Sequence, residues 1–252
     1  MKVAAAFLSF VLLGVPVLAA ESGHDLYVAG KYDEAMRLGA ASNNAVDLVF
    51  AARAGLAEAS VKSCVPCVGQ ALGFAQRAIA ADPDMADAHT ILAIAIGEQA
   101  RRDGLVLARL HNAPVHARHE LDAALKLDPQ NALALAALGG WNVEIVRAGG
   151  AYLAHWLYGA SLQAGLDDFA QALRRDPGNV ALHYQYALSL SGLDPAAYRA
   201  VIQTALQDAI ADTPHTAYEK IAPPRSAELL DLLKHGDTAA YAARVHKFQG
   251  YP

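Results

Sequence analysis

One phrase recurs in this chain and limits what it can fold into. "AIAADPDMADAHTILAIAI" (78–96), "ALKLDPQNALALAALGGW" (124–141) and "ALRRDPGNVALHYQYALSL" (172–190) share a plan of helical rhythm, Asp-Pro, then helical rhythm again. The Asp-Pro pairs fall at 82–83, 128–129 and 176–177, spaced by 46 and 48 residues. Aligned on the proline, Ala86, Ala132 and Val180 coincide, then Ala88, Ala134 and Leu182, then Leu92, Leu138 and Tyr186, then Ala93, Gly139 and Ala187. These offsets put small and apolar residues on one helical stripe. Asp can cap a helix start, and Pro suits a first helical turn while discouraging the preceding helix from running through. Each phrase therefore predicts helix, tight corner, helix. One such hairpin cannot bury its apolar face alone, but stacked hairpins can.

Composition agrees. Hydrophobic residues make up 54% of the chain, with alanine prominent, and charged residues 18%. Alanine is the best helix former, and no series of β-branched runs alternates with period two. The expected fold is all-α: an α-solenoid of stacked antiparallel helix hairpins, one domain of helical repeats over 21–213 with C-terminal capping helices at 214–252. "TPHTAYEKIAPPRS" (213–226) interrupts the helical pattern, since Pro223-Pro224 cannot sit in a helix interior, and the two short helices of the cap follow it.

At the N-terminal end of the repeats stands "LYVAGKYDEAMRLG" (26–39), where Tyr27, Gly30, Tyr32 and Ala35 mark a helical-hairpin corner. This phrase, with the Asp-Pro corners and their small-residue helix starts, resembles the tetratricopeptide repeat family, in a long-helix variant found in exported bacterial proteins. The resemblance spans about residues 24–211. It departs from the family in period: ~34 residues there, 46–48 here. The extra residues need longer helices or an added segment inside a hairpin, and "GAYLAHWLYGAS" (150–161) is a bulky apolar insert of that kind. "GGWNVE" (139–144) is similar to a phrase of the eukaryotic regulator-of-microtubule-dynamics group. The tetratricopeptide resemblance implies a binding scaffold rather than an enzyme.

The first 20 residues read as a signal peptide: Lys2, an apolar run from Val3 to Val15, Pro16, and small residues before cleavage after Ala19 or Ala20. The run is short for a membrane span. A periplasmic location follows as an expectation. In such a setting the lone pair Cys64 and Cys67 is expected to form a local disulfide, with a thiol-redox role as the alternative.

No catalytic constellation stands out. There is no Gly-x-Ser-x-Gly elbow, no phosphate-cradling glycine pattern and no HExxH. His116 and His119 share a helical face, but read as solvent-facing histidines after Pro114 rather than metal ligands. The net charge of −5 and the lack of a basic stripe argue against nucleic acid. No cofactor, no metal and no catalytic residue is expected.

A solenoid's concave wall is lined by the first helix of each pair. Polar residues there are the candidate partner-binding set: His89, Glu98 and Arg102, then Asn142, Glu144 and Arg147, then His183, Tyr184 and Gln185. The expected ligand is a protein or peptide partner in the cell envelope. The alternative is an apolar solute enclosed near Trp141, Tyr152 and Trp156, two of which (the tryptophans) are otherwise expected to fill the core around the oversized repeat.

Overall fold

The computed structural model describes residues 21–62 and 64–251. Within them it is all-helical, with no strand. The expected signal peptide lies outside the described residues. A short leading pair, α1 (Gly23–Val28) and α2 (Tyr32–Ala41), precedes four hairpins. These are α3 (Ala45–Lys62) with α4 (Val65–Ala81), α5 (Ala86–Leu110) with α6 (Ala113–Leu127), α7 (Ala132–Tyr158) with α8 (Leu162–Arg175), and α9 (Val180–Leu193) with α10 (Arg199–Ala211). A 3₁₀ turn, Glu219–Ile221, leads into α11 (Ala222–His235) and α12 (Thr238–Phe248).

The first helices α3, α5, α7 and α9 pack on one another in order, whereas the second helices make no comparable contacts among themselves. A stack held more tightly along one side bends toward that side. The first-helix face is therefore the inner wall of a trough, as the repeat pattern predicts.

The Asp-Pro corner works differently from the expectation. Asp82, Asp128 and Asp176 end the preceding helices; they do not start the following ones. Asp82 and Asp128 instead accept backbone N–H groups within the turn, from Asp84 at 3.1 Å and Gln130 at 2.9 Å. The next helix begins three residues after each proline, and in two repeats asparagine caps it: Asn131 accepts from the Ala134 N–H and Asn179 from the Leu182 N–H. The proline stops one helix and leaves the capping of the next to a side chain with a freer backbone.

The long period also finds its structural cause. α5 and α7 each break at a glycine with positive φ, Gly104 (77°) and Gly150 (74°), then run on as a short helical insert. The two glycines sit 46 residues apart, one repeat. Backbone of that sign suits residues without a Cβ. The added residues are thus a segment inside the hairpin, residues 105–110 and 151–158.

Where hairpin helices cross most closely, small residues make it possible. A Cβ on Gly139 of α7 would lie 2.8 Å from the Phe169 ring and 2.9 Å from the Gly165 carbonyl of α8. Buried Phe169, Leu182, Val143 and Ala172 fill the space around this crossing.

Candidate functional site

The trough is not empty: the chain's own C-terminal segment lies in it. The Ala217 N–H donates to the Val28 carbonyl (3.0 Å), and Ala217 and Tyr218 pack against Leu26, Tyr27 and Tyr32 at the N-terminal end. Arg225 donates to the Ser60 carbonyl of α3 (3.1 Å). Leu229, Leu230 and Leu233 of α11, with Tyr241 and Val245 of α12, form one core with Tyr184, Ala187 and Leu188 of α9. Gln249 then donates to the Leu188 carbonyl (2.9 Å). The expected C-terminal cap thus spans from the last repeat back to the first.

The segment ends on the most polar part of the inner wall. Glu98 pairs with Arg101 in α5, and one turn-pair further along the stack Glu144 pairs with Arg147 in α7. The Tyr251 hydroxyl donates to Glu144 (2.6 Å) and also meets Arg147. The Arg147 guanidinium lies over the Tyr251 ring, 5.2 Å from its centre, and the His246 ring stacks on it with centroids 4.8 Å apart. Burial pushes the Glu144 carboxyl up, but Arg147, the Tyr251 hydroxyl and Arg101 outweigh it and hold it below the usual range. Burial and the neighbouring Glu144 carboxylate raise the Tyr251 phenol well above its ordinary value. Glu144 therefore stays ionised, and Tyr251 stays a donor, across the physiological range.

The other candidate residues divide between the trough and the repeat corners. Arg102 reaches the Ala59 carbonyl of α3 at 3.4 Å, joining two first helices. Gln185 makes a long contact to the Tyr218 hydroxyl (3.4 Å), so it faces the same segment. Tyr184 is buried beneath α11. His89 and His183 face away from the segment, toward their own corners. Each donates from Nε2 to the carbonyl of its own corner proline, Pro83 at 3.0 Å and Pro177 at 2.9 Å. Each turns Nδ1 to a carboxylate of the second helix, Glu120 for His89 (2.6 Å) and Asp208 for His183 (3.7 Å). Both stand six residues after their proline, and that shared register was the signal available in the sequence. Asn142 binds the α7–α8 junction, donating to Asp168 (3.1 Å) and accepting from the Ser161 N–H (3.1 Å).

Cys64 and Cys67 are joined as a disulfide at the start of α4. Trp141 is buried and donates to the Pro114 carbonyl (2.9 Å). Trp156 and Tyr152 stand in solvent, which corrects the expectation of Trp156 as core filler. The three aromatics share no enclosed cavity among the described residues. An open apolar recess lies elsewhere, between α8, α9 and α10, against Leu173, Tyr186 and Val201.

Asp168 carries the one carboxyl held clearly above its ordinary range, at about 6, because burial beside α7 penalises its charge more than the Asn142 hydrogen bond relieves it. The folded-state value exceeds the unfolded one, so this group's stabilisation is complete below about 3.8 and is lost as pH rises towards 6. Asp168→Asn is expected to stabilise the protein at pH 7.5 by about 1 kcal/mol, a value reduced for partial solvent screening. Urea unfolding should show no comparable gain at pH 3.5.

Among the described residues no helix is long and apolar enough to cross a membrane. No curated protein matches the chain closely enough to name as a relative. A family model does match. The regulator of microtubule dynamics protein 1-3 model covers residues 48–186, from α3 into α9 and more than half of the chain. The match is to this helical-repeat group and not to the tetratricopeptide repeat as such, in keeping with the longer period. A helical-repeat family of this kind points to a protein-interaction scaffold in general, and its name describes a regulator and not an enzyme. The "GGWNVE" phrase falls inside the match, at the α7–α8 crossing, and the chain belongs to the regulator of microtubule dynamics protein 1-3 family.

Proposed function

We propose that this chain is a non-enzymatic scaffold of the cell envelope that holds an extended protein or peptide segment along its first-helix face. The observation carrying this reading is the grip on Tyr251. An aromatic ring contacts both a guanidinium and an imidazole, and its hydroxyl is held by a charged carboxylate. Charge-assisted hydrogen bonds and cation–π contacts are what a recognition site uses to select an aromatic side chain on a peptide. The neighbouring Glu98–Arg101 pair extends the polar wall, so a longer ligand finds further partners. On this reading residues 249–251 occupy the site in the free protein, and a partner competes with them.

Three forms of the protein test the proposal by affinity capture from an envelope fraction: the unaltered chain, Glu144→Ala with Arg147→Ala, and a chain ending at Phe248. The shortened chain is expected to recover a partner severalfold better than the unaltered one, and the double substitution severalfold worse. Equal recovery by all three discards the trough as the binding site. Sequencing the N-terminus of the protein recovered from cells tests the envelope location; the expected product begins at Ala20 or Glu21.

A further inference from the structure

The geometry points to a second interaction surface: the two helical inserts form a docking tip for an anionic lipid bilayer. Both inserts leave the same end of neighbouring first helices, each through its positive-φ glycine. Each turns one small residue inward, Ala108 or Ala154, and larger ones outward. Leu105, Val106 and Leu110 are 67, 82 and 71% exposed on the first insert; Tyr152 and Trp156 are 79 and 72% exposed on the second. The pattern repeats in register, since Val106 aligns with Tyr152 and Leu110 with Trp156 one period later. Single exposed apolar residues are ordinary, but here a matched set recurs in register on the inserts of two neighbouring first helices.

Charge selects the occupant. The chain as a whole carries −5, yet residues 104–119 and 145–166 contain no Asp or Glu. The cationic groups and histidines there are Arg109, Arg118 and Arg147 with His111, His116, His119 and His155. Arg118 is paired with Asp122 and Arg147 with Glu144, but Arg109 is exposed and forms no ion pair among the described residues. An apolar tip bordered by cations, with Trp and Tyr at its edge, matches a headgroup–acyl boundary carrying negative lipid. A second copy fits poorly. Inserts of six and eight residues are about 9 and 12 Å long, giving a joint face of roughly 250 Å². A stable protein–protein interface needs about 800 Å² on each side, and a symmetric one would also bring like-charged Arg109 side chains together.

The test uses the chain from Glu21 onward, so that the apolar first 20 residues cannot themselves bind lipid. It is sedimented with vesicles of equal parts phosphatidylglycerol and phosphatidylcholine, and with phosphatidylcholine alone. Binding to the mixed vesicles is expected to be at least tenfold stronger, with a blue shift in tryptophan emission. Trp156 is the reporter, because Trp141 is buried. Leu110→Ser with Trp156→Ser is expected to lower that binding at least tenfold, Arg109→Glu severalfold, and Trp156→Phe little. These positions are exposed, so circular dichroism should be unchanged in all three. The proposal fails if the unaltered protein stays in solution with both vesicles, or if the double variant binds equally well. It also fails if the protein is a dimer that the double variant dissociates, because the tip is then a contact between copies.

Discussion

A chain ending at Asp212 is expected to be insoluble. Removing the C-terminal segment strips Leu229, Leu230, Leu233, Tyr241 and Val245 from the core they share with Tyr184 and Leu188 of α9. At about 2 kcal/mol for each large side chain, the lost burial is roughly 10 kcal/mol. That is comparable with the entire stability of an ordinary domain. Tyr184, Ala187 and Leu188 of α9 then lose the apolar side chains that cover them. Soluble yield and light scattering measure the outcome. A monomeric, folded product would show that the repeats are self-sufficient and that the segment is an accessory. The contrast with the chain ending at Phe248 is informative, because that shorter deletion leaves the five core side chains in place and releases only the Tyr251 grip and the Gln249 hydrogen bond to Leu188.

The second large effect is expected at Gly139. Valine there drives its side chain into the Phe169 ring and the Gly165 carbonyl, both under 3.0 Å from the Cβ position. Phe169 is itself fully buried, and a backbone carbonyl in a packed helix cannot swing aside. Over-packing usually costs 1–3 kcal/mol, and here two obstacles coincide, so Gly139→Val should cost about 3 kcal/mol or more. The valine at Gly140, one position along and with ordinary contact distances, is the control and should cost much less. Chemical denaturation of the two variants side by side checks this.

The period was legible because it is local. Asp-Pro, the small residues at fixed offsets and the apolar stripe all act within one hairpin, and the all-α stack follows from them. The details that local patterns could not settle are those in which two rules compete. Asp128 can cap a helix or close a turn, and with Asn131 available three residues on, it closes the turn. Gly104 and Gly150 share one register, yet only the three-dimensional fold shows that each ends a trough-lining helix and begins an insert. For the site, Glu144 and Arg147 were readable as polar groups on a first helix. Their partner was not: Tyr251 lies 107 residues from Glu144 and belongs to no repeat. His89 and His183 illustrate the opposite error. A polar residue on a first helix need not face the trough, since both serve the corner from which the helix springs.

Stacked hairpins held only to their neighbours behave as a spring, free to open or tighten by small equal increments at every joint. The strap formed by residues 216–251 removes that freedom. It fastens the Val28 carbonyl at one end of the coil, Ser60 nearby, and Leu188 and Glu144 towards the other, bridging as many as 189 residues of sequence between Val28 and Ala217. The curvature is then set by one length of chain and not by the sum of many loose joints. Nascent hairpins can form as they emerge during synthesis, but the coil acquires its final pitch only after the last turn of α12 and the tyrosine beyond it have been released.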